Sequence, residues 1–184
     1  MLDAYLDELL RWNARINLVA KCSRNEAWSR HIQDSVQIVR STEPPERWTD
    51  LGSGGGLPGM VAAVLLRAST RVTMIEADNR KGAFLRHVAR VLNLDVDVVS
   101  ERIERAPPSP GNVVSARALA PLATLLGLAE PHCAPGGTLL FPKGVTWREE
   151  VDEALATWRF DVQSIPSRTR DGAAILRIVD PERR

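Results

Sequence analysis

The chain has 184 residues, with 24 Lys and Arg against 23 Asp and Glu, a formal net charge of +1, and 44% hydrophobic residues. That length suits one domain with a full core, and the composition excludes a disordered chain. A near-zero net charge leaves any nucleic-acid binding to a local basic patch rather than to the molecule as a whole. Cys22 and Cys133 stand at no paired spacing, so neither a disulfide framework nor a zinc site is expected. No metal is expected, and a reducing cytoplasm is the default location. Met1-Leu2-Asp3-Ala4-Tyr5 has no basic stretch leading into an apolar run, so no signal peptide is expected. The longest apolar run, Met60 to Leu66, is too short to cross a bilayer.

Leu2, Leu6, Leu9, Leu10, Asn13, Ile16 and Leu18 recur at roughly helical spacing and predict a helix over 2–19. A second helix is predicted from Asn25, a good N-cap, to about Arg40, with Trp28, Ile32, Val36 and Val39 as its apolar stripe. Pro44-Pro45 then marks a break, and residues 1–46 read as a helical extension in front of a main domain over 47–184. From Arg47 short apolar segments alternate with helical patterns, as in an α/β domain with a mainly parallel sheet. Predicted strands are 47–51, 71–76, 96–99, 112–116 and 138–141, with helices over 58–67 and 79–92. Segments 160–165 and 174–179 flank Arg170-Asp171-Gly172 and read as a terminal antiparallel pair, completing seven strands.

The richest local signal is Asp50-Leu51-Gly52-Ser53-Gly54-Gly55-Gly56-Leu57-Pro58-Gly59. Glycines after a first strand let the backbone approach a ligand and adopt dihedrals that side chains forbid. Here the turn follows a strand ending near Asp50 and opens a helix at Pro58. Glu76 closes the next strand, 20 residues after Gly56, where a carboxylate can accept hydrogen bonds from both ribose hydroxyls. No Walker loop is present. NAD is the rival cofactor, but Gly52-x-Gly54-Gly55-Gly56 departs from Gly-x-Gly-x-x-Gly. The leading Asp50 and the terminal antiparallel pair favour a Rossmann-like methyltransferase that uses S-adenosylmethionine. Gly52, Gly54 and Glu76 are the first candidate cofactor contacts. Ile103 and Glu104 follow the third strand, where an adenine ring would lie. Arg117 follows the fourth, at the carboxyl edge where open α/β sheets bind ligands.

The acceptor is narrowed by chemistry. Methylating a pyrimidine carbon commonly needs a cysteine nucleophile, and neither cysteine is expected at the catalytic edge. An exocyclic adenine amine usually calls for an Asn/Asp-Pro-Pro-aromatic loop, where this chain has Ser115-Ala116-Arg117-Ala118. A ring nitrogen such as guanine N7 has a free lone pair and no proton to remove. Positioning and electrostatics then suffice, and positioning alone is worth roughly 7–11 kcal/mol.

These residues, with Trp12-Asn13, Asn17-Leu18 and Arg30-His31-Ile32-x-Asp34-Ser35, resemble the bacterial small-subunit (16S) ribosomal RNA guanine-N7 methyltransferases, the glucose-inhibited division protein B family. Lys81 with Phe84-Leu85, Ser115-x-Arg117-Ala118 and Lys143-Gly144 follow in the family's order. The resemblance runs from about residue 9 onward, with an N-terminal extension about one helix shorter than usual. Gly111-Asn112 stands where the family has an aspartate. It implies a Rossmann-like fold with a helical extension, cofactor contacts from Gly52, Leu57, Ile103, Glu104 and Arg117, and Glu76 at the ribose-binding acidic position. The implied partner is small-subunit ribosomal RNA or the ribosomal subunit, met by a monomer without a membrane.

Basic residues cluster in the extension and at the predicted carboxyl edge: Arg11, Arg15, Lys21, Arg24, Arg30, His31, Arg80, Lys81, Arg117, Lys143 and Arg148. Arg30, His31, Lys81 and Lys143 are the candidate RNA contacts. Arg117 and Lys143 are the candidate catalytic-edge groups, acting by position and charge with no general base. A bland alternative pairs Asp34 with Arg30 across one helical turn. Two rival functions stand beside the main one: a methyltransferase of small molecules or proteins, and a non-catalytic RNA-binding assembly factor with the same fold.

Overall fold

The computed structural model describes all of residues 1–184. Seven strands form one sheet in the order β3-β2-β1-β4-β5-β7-β6: β1 Arg47–Leu51, β2 Arg71–Ile75, β3 Val96–Val99, β4 Gly111–Ala116, β5 Cys133–Lys143, β6 Trp158–Pro166 and β7 Ala174–Arg183. Strands β1 to β5 run parallel, while β7 lies antiparallel to both β5 and β6. The chain moves outward from β1 to β3 and then returns to the other side of β1 with β4. The carboxyl ends of β1 and β4 therefore flank the switch point, where such sheets leave a crevice.

Consecutive residues of the central strands face opposite sides of the sheet. Trp48, Met74, Val113 and Leu140 enter one core with helices α1 (Leu2–Asn13), α3 (Asp34–Val39), α4 (Gly59–Leu65) and α5 (Asn79–Val91). Leu51, Ile75, Val114 and Leu139 enter the other with α6 (Leu122–Ala129) and α7 (Trp147–Leu155). Burial on both faces accounts for adjacent apolar pairs such as Val113-Val114 and Leu139-Leu140, whose members enter opposite cores. Cys133 begins β5, because a short 3-10 turn over Glu130–His132 closes α6 first.

The N-terminal region departs from its periodicity. The helix predicted over 2–19 stops at Asn13, whose Oδ1 accepts the backbone N–H groups of Leu18 (2.8 Å) and Val19 (3.0 Å) and turns the chain back. The next helix starts at Ser23, not Asn25. Ser23 and Glu26 form a reciprocal capping box at the head of α2 (Arg24–Ala27), satisfying two otherwise orphaned N–H groups. Residues Trp28–Gln33 then widen into a π-helix before α3 begins. Apolar spacing could not show this widening, because the stripe Ile32–Val36–Val39 still reaches the core side. Pro58 is the N-cap of α4 rather than its first residue.

Tyr5, Leu6 and Leu9 of α1 are fully buried in the same cluster as Trp48 and Phe84. Burying a leucine contributes about 1.5–3 kcal/mol, and truncating one in a packed core costs about 2–5 kcal/mol. Leu6→Ala is therefore expected to lower the stability of the sheet together with the extension. Urea unfolding followed by far-ultraviolet circular dichroism and by tryptophan fluorescence should give one coincident, shifted transition. Separate transitions would show that the extension melts alone.

Candidate functional site

The turn after β1 is built on backbone that only glycine adopts freely. Gly52, Gly54 and Gly56 have φ of +60°, +55° and +86°. Leu119 leaves no room for a side chain at Gly52, where a Cβ would stand 2.7 Å from its Cδ1. At Gly54 a Cβ would meet nothing nearer than 3.8 Å, so that glycine borders open space. The loop is held from two sides. Glu76, only 8% exposed, accepts the Gly54 N–H at 2.7 Å through one oxygen and the Asp78 N–H at 2.8 Å through the other. From below, the phenol of Tyr5 donates to the Gly55 carbonyl at 2.5 Å.

A buried hydrogen-bond chain anchors the strand ends beneath this loop. Trp48 Nε1 donates to Ser115 Oγ at 2.8 Å, and Ser115 Oγ donates to Asp50 Oδ1 at 2.6 Å. Asp50 and Ser115 face each other in the β1–β4 register. The second oxygen, Asp50 Oδ2, has no hydrogen-bond partner and packs against α4. A Cβ on Gly59 would stand 2.8 Å from it, which explains the glycine there. Burial pushes the Asp50 carboxyl up to about 6, against the opposing hydroxyl of Ser115. At neutral pH it is mostly ionised, so negative charge from Asp50 and Glu76 underlies the glycine loop. Above the loop, Arg30 and Arg117 face the same space with positive charge.

Above the loop lies a cavity of about 1300 Å³. It gathers Gly52, Gly54 and Leu57 from the glycine turn, Arg30 and His31 from the π-helix, Arg117 from the end of β4, and Lys143 from the end of β5. Arg117 lies 3.6 Å from Asp34 Oδ2 and 3.4 Å from His31 Nδ1. Burial and the neighbouring Arg117 push the His31 imidazole down to about 4, so the ring is neutral, and its Nε2 is buried without a partner. Asp34 thus pairs with Arg117 and not with Arg30. Arg30 forms no ion pair and is exposed at the cavity. One wall is a polar strap. Gln37 Nε2 donates to Ser167 Oγ (3.1 Å) and Thr169 Oγ1 (3.0 Å), Gln37 Oε1 accepts from Arg168 N–H (2.8 Å), and Thr169 donates to Asp34 (2.7 Å).

Other expected residues lie outside this cavity. Glu76 sits under the loop. Ile103 packs at the edge of the second core, and its carbonyl lies 3.4 Å from His132 Nε2. Glu104 is exposed, and Lys81 sits on the first turn of α5. Lys143 borders the cavity, but its ammonium is not presented as a free cation. It is 9% exposed and donates at 2.8 Å both to Glu150 and to the Ala120 carbonyl. The sequence assigned no site role to Tyr5, to Ser115 itself or to the strap formed by Gln37, Ser167 and Thr169. Tyr5 shared the apolar spacing of α1, and Ser115 lay within a motif. The strap joins residues about 130 positions apart and left no local signal.

The sequence matches the GidB family, described as rRNA small subunit methyltransferase G, over residues 1–174. A relative of that name from Ruegeria sp. (strain TM1040) is 48% identical over 185 residues, covering 99% of this chain and 90% of its own length. Another from Gluconobacter oxydans (strain 621H) is 43% identical, covering 99% and 93%. Among solved structures, a SAM dependent methyltransferase from Aquifex aeolicus superposes with a TM-score of 0.65 at 11% identity, covering 95% of this chain and 97% of that one. The N-methyltransferase NodS from Bradyrhizobium japonicum WM9, in complex with S-adenosyl-l-homocysteine, gives 0.58 at 16% identity, covering 97% and 99%. These two likenesses establish the Rossmann-like methyltransferase fold.

The raised Asp50 group has a thermodynamic consequence. A carboxyl that titrates near 6 when folded and at 3.8 otherwise gains stability as the pH falls from above 6 to below 4 and loses it on the way back up. The full difference is about 3 kcal/mol. Asp50→Asn removes that titration, so its stability relative to the wild type should improve by a few kcal/mol between pH 4 and pH 8. Paired urea titrations across that range measure it; parallel curves would contradict the raised value.

Proposed function

The chain belongs to the GidB family of rRNA small subunit methyltransferases, and from that premise we propose that it methylates N7 of a guanine in small-subunit (16S) ribosomal RNA, with S-adenosylmethionine as methyl donor. The observation that carries this reading is the single cavity that joins the glycine turn to Arg30, His31 and Arg117. Those residues come from the most family-specific stretches of the sequence, and the cavity places them beside the loop that holds a cofactor in this fold.

The residues fit the donor. Gly54 leaves the loop open on one side, and Gly52, Gly54 and Leu57 border the space. Glu76 spends one hydrogen bond per carboxylate oxygen on the backbone and keeps further lone pairs for a ribose diol. The unpaired Asp50 Oδ2 supplies negative charge suited to a sulfonium and an amino group. Ile103 and Glu104, on the loop after β3, are assigned to the adenine ring. When bound, the donor supplies an electrophilic methyl group.

What the chain itself must do is hold the base and exclude alternatives. Guanine N7 carries no proton, so no residue has to act as a base. His31 is neutral and adds no positive charge beside Arg117 at the cavity wall. Arg117 is braced by Asp34, which fixes its guanidinium at the cavity wall, and the exposed Arg30 meets RNA phosphate. Lys143, through Glu150 and the Ala120 carbonyl, positions the loop after β4. Lys81 contributes a further phosphate contact. No helix is long and apolar enough to cross a membrane; the proposed protein acts as a monomer in the cytoplasm.

Mapping N7-methylguanosine in 16S RNA from cells with and without the gene tests the reading directly. One guanine should lose its methyl group without the protein and regain it on complementation, and an unchanged map would overturn the proposal. Gly54→Val forces a β-branched residue into left-handed backbone, at about 1–2 kcal/mol, and places its side chain in the open space beside the loop. Its expected outcome is a loss of S-adenosylmethionine binding by calorimetry of at least tenfold, with a cooperative thermal unfolding transition retained.

A further inference from the structure

A second cavity, of about 530 Å³, lies between α1 and α5, outside the site described above. Its walls carry Arg11 and Arg15 from α1 and the adjoining turn, and Arg80 and His87 from α5. Trp12 forms part of its floor. Helical spacing explains the convergence. Arg11 and Arg15 stand four residues apart on one side, and on the other Arg80 and His87 are two turns apart with Arg90 one turn further. Arg90 extends the row, with Nη2 3.5 Å from His87 Nδ1.

Most of this charge faces solvent. The Arg11 and Arg80 side chains are 64% and 75% exposed, and Arg15 is exposed with no ion pair. Two carboxylates offset part of it: Glu8 pairs with Arg11 and His87, and Asp78 pairs with Arg80. Four arginines against these two acids leave a clear local excess in a chain whose net charge is only +1. Trp12 is locked by its packing. Its ring lies 5.6 Å from Phe84 and 5.1 Å from His87, centroid to centroid. A rigid aromatic surface ringed by exposed arginines is what a single nucleic-acid strand uses: phosphates on the guanidinium groups and a base against the ring.

We propose that this groove is a second RNA-binding site, which holds the phosphate backbone of the ribosomal RNA away from the methylated base. The inference rests on the ribosomal RNA reading above and adds to it a surface that lies outside the methyl-transfer cavity. The two cavities adjoin along the chain. Ile16 lines the groove, while Leu18 and Val19 line the cofactor-side cavity, and the turn between them is fixed by the side chain of Asn13. The linings of groove and cavity thus come within two positions of each other along the chain, so one RNA strand can engage both. The groove confers grip and register and takes no part in the chemistry.

The test uses the full chain with Arg15→Glu and Arg80→Glu combined, beside the milder Arg15→Gln and Arg80→Gln pair. The substrates are deproteinised 16S RNA and assembled small subunits from cells lacking the gene. The wild type is first shown to methylate its guanine; failure at that step defeats the substrate reading and not the groove. The charge-reversed protein is then expected to bind deproteinised RNA at least tenfold more weakly. Its plot of log affinity against log salt should be shallower by about 1.5, as two lost phosphate contacts require. The neutral pair should fall between it and the wild type. Calorimetric affinity for S-adenosylmethionine and the rate at saturating RNA should stay within about twofold of the wild type, since neither arginine lines the cavity above the glycine turn. An unchanged affinity and salt slope would overturn the proposal. So would a defect seen only with assembled subunits, which would identify a ribosomal protein as the partner, or a parallel loss of cofactor affinity, which would identify a folding role.

Discussion

Everything at the carboxyl edge of the sheet hangs on the buried chain from Trp48 through Ser115 to Asp50. It ties β1 to β4 at the point where the sheet reverses direction, and it does so with a carboxylate that is completely buried and only half satisfied. An apolar residue at position 50 would avoid the desolvation cost. What the acid provides is a fixed starting angle for the glycine turn and a negative floor beneath it. The same carboxylate demands a glycine at position 59, and Ser115 sets Ala116 and Arg117 at the end of β4. Strand pairing, loop conformation and the sign of the local potential therefore follow from one interaction.

The extension is structural as well as functional. Tyr5 reaches through the core to the Gly55 carbonyl, and a Cβ on Gly55 would meet Leu9 at 3.1 Å, so α1 is the platform on which the turn rests. The π-helical stretch then carries Arg30 and His31 to the same cavity that the turn opens into. Ile32 within the widened turn and Ile38 after it both remain buried.

Much of this is legible in the sequence. All seven strands were marked by their apolar runs, and the glycine turn with Glu76 announced a nucleoside-type cofactor, because those signals are local. The misplaced boundaries have local causes too. Asn13 ended its helix by capping the chain that follows, Ser23 outcompeted Asn25 because Glu26 could close a box with it, and β5 ran well beyond its four most apolar residues. Helices α6 and α7 had not been singled out, although both cover the second core. What could not be read was pairing between distant residues. Lys143 reads as a free cation in the sequence but pairs with Glu150, and Asp34 pairs with Arg117 rather than with its helical neighbour. Charge and position can be read from a string of letters, but partners at long range cannot.

The strap between Gln37 and the β6–β7 turn bears on when the cavity can exist at all. Its hydrogen bonds join residues 131 and 132 positions apart, and the cavity they border draws on both. During synthesis the glycine turn, β2 and α5 can dock early, since their contacts are near in sequence. The cavity wall must wait for the last antiparallel pair to emerge and find the early helix. Contacts of such long separation form late because loop closure must be paid for first. The nascent protein thus acquires its parallel strands before its enclosed site, which is completed together with the terminal antiparallel pair.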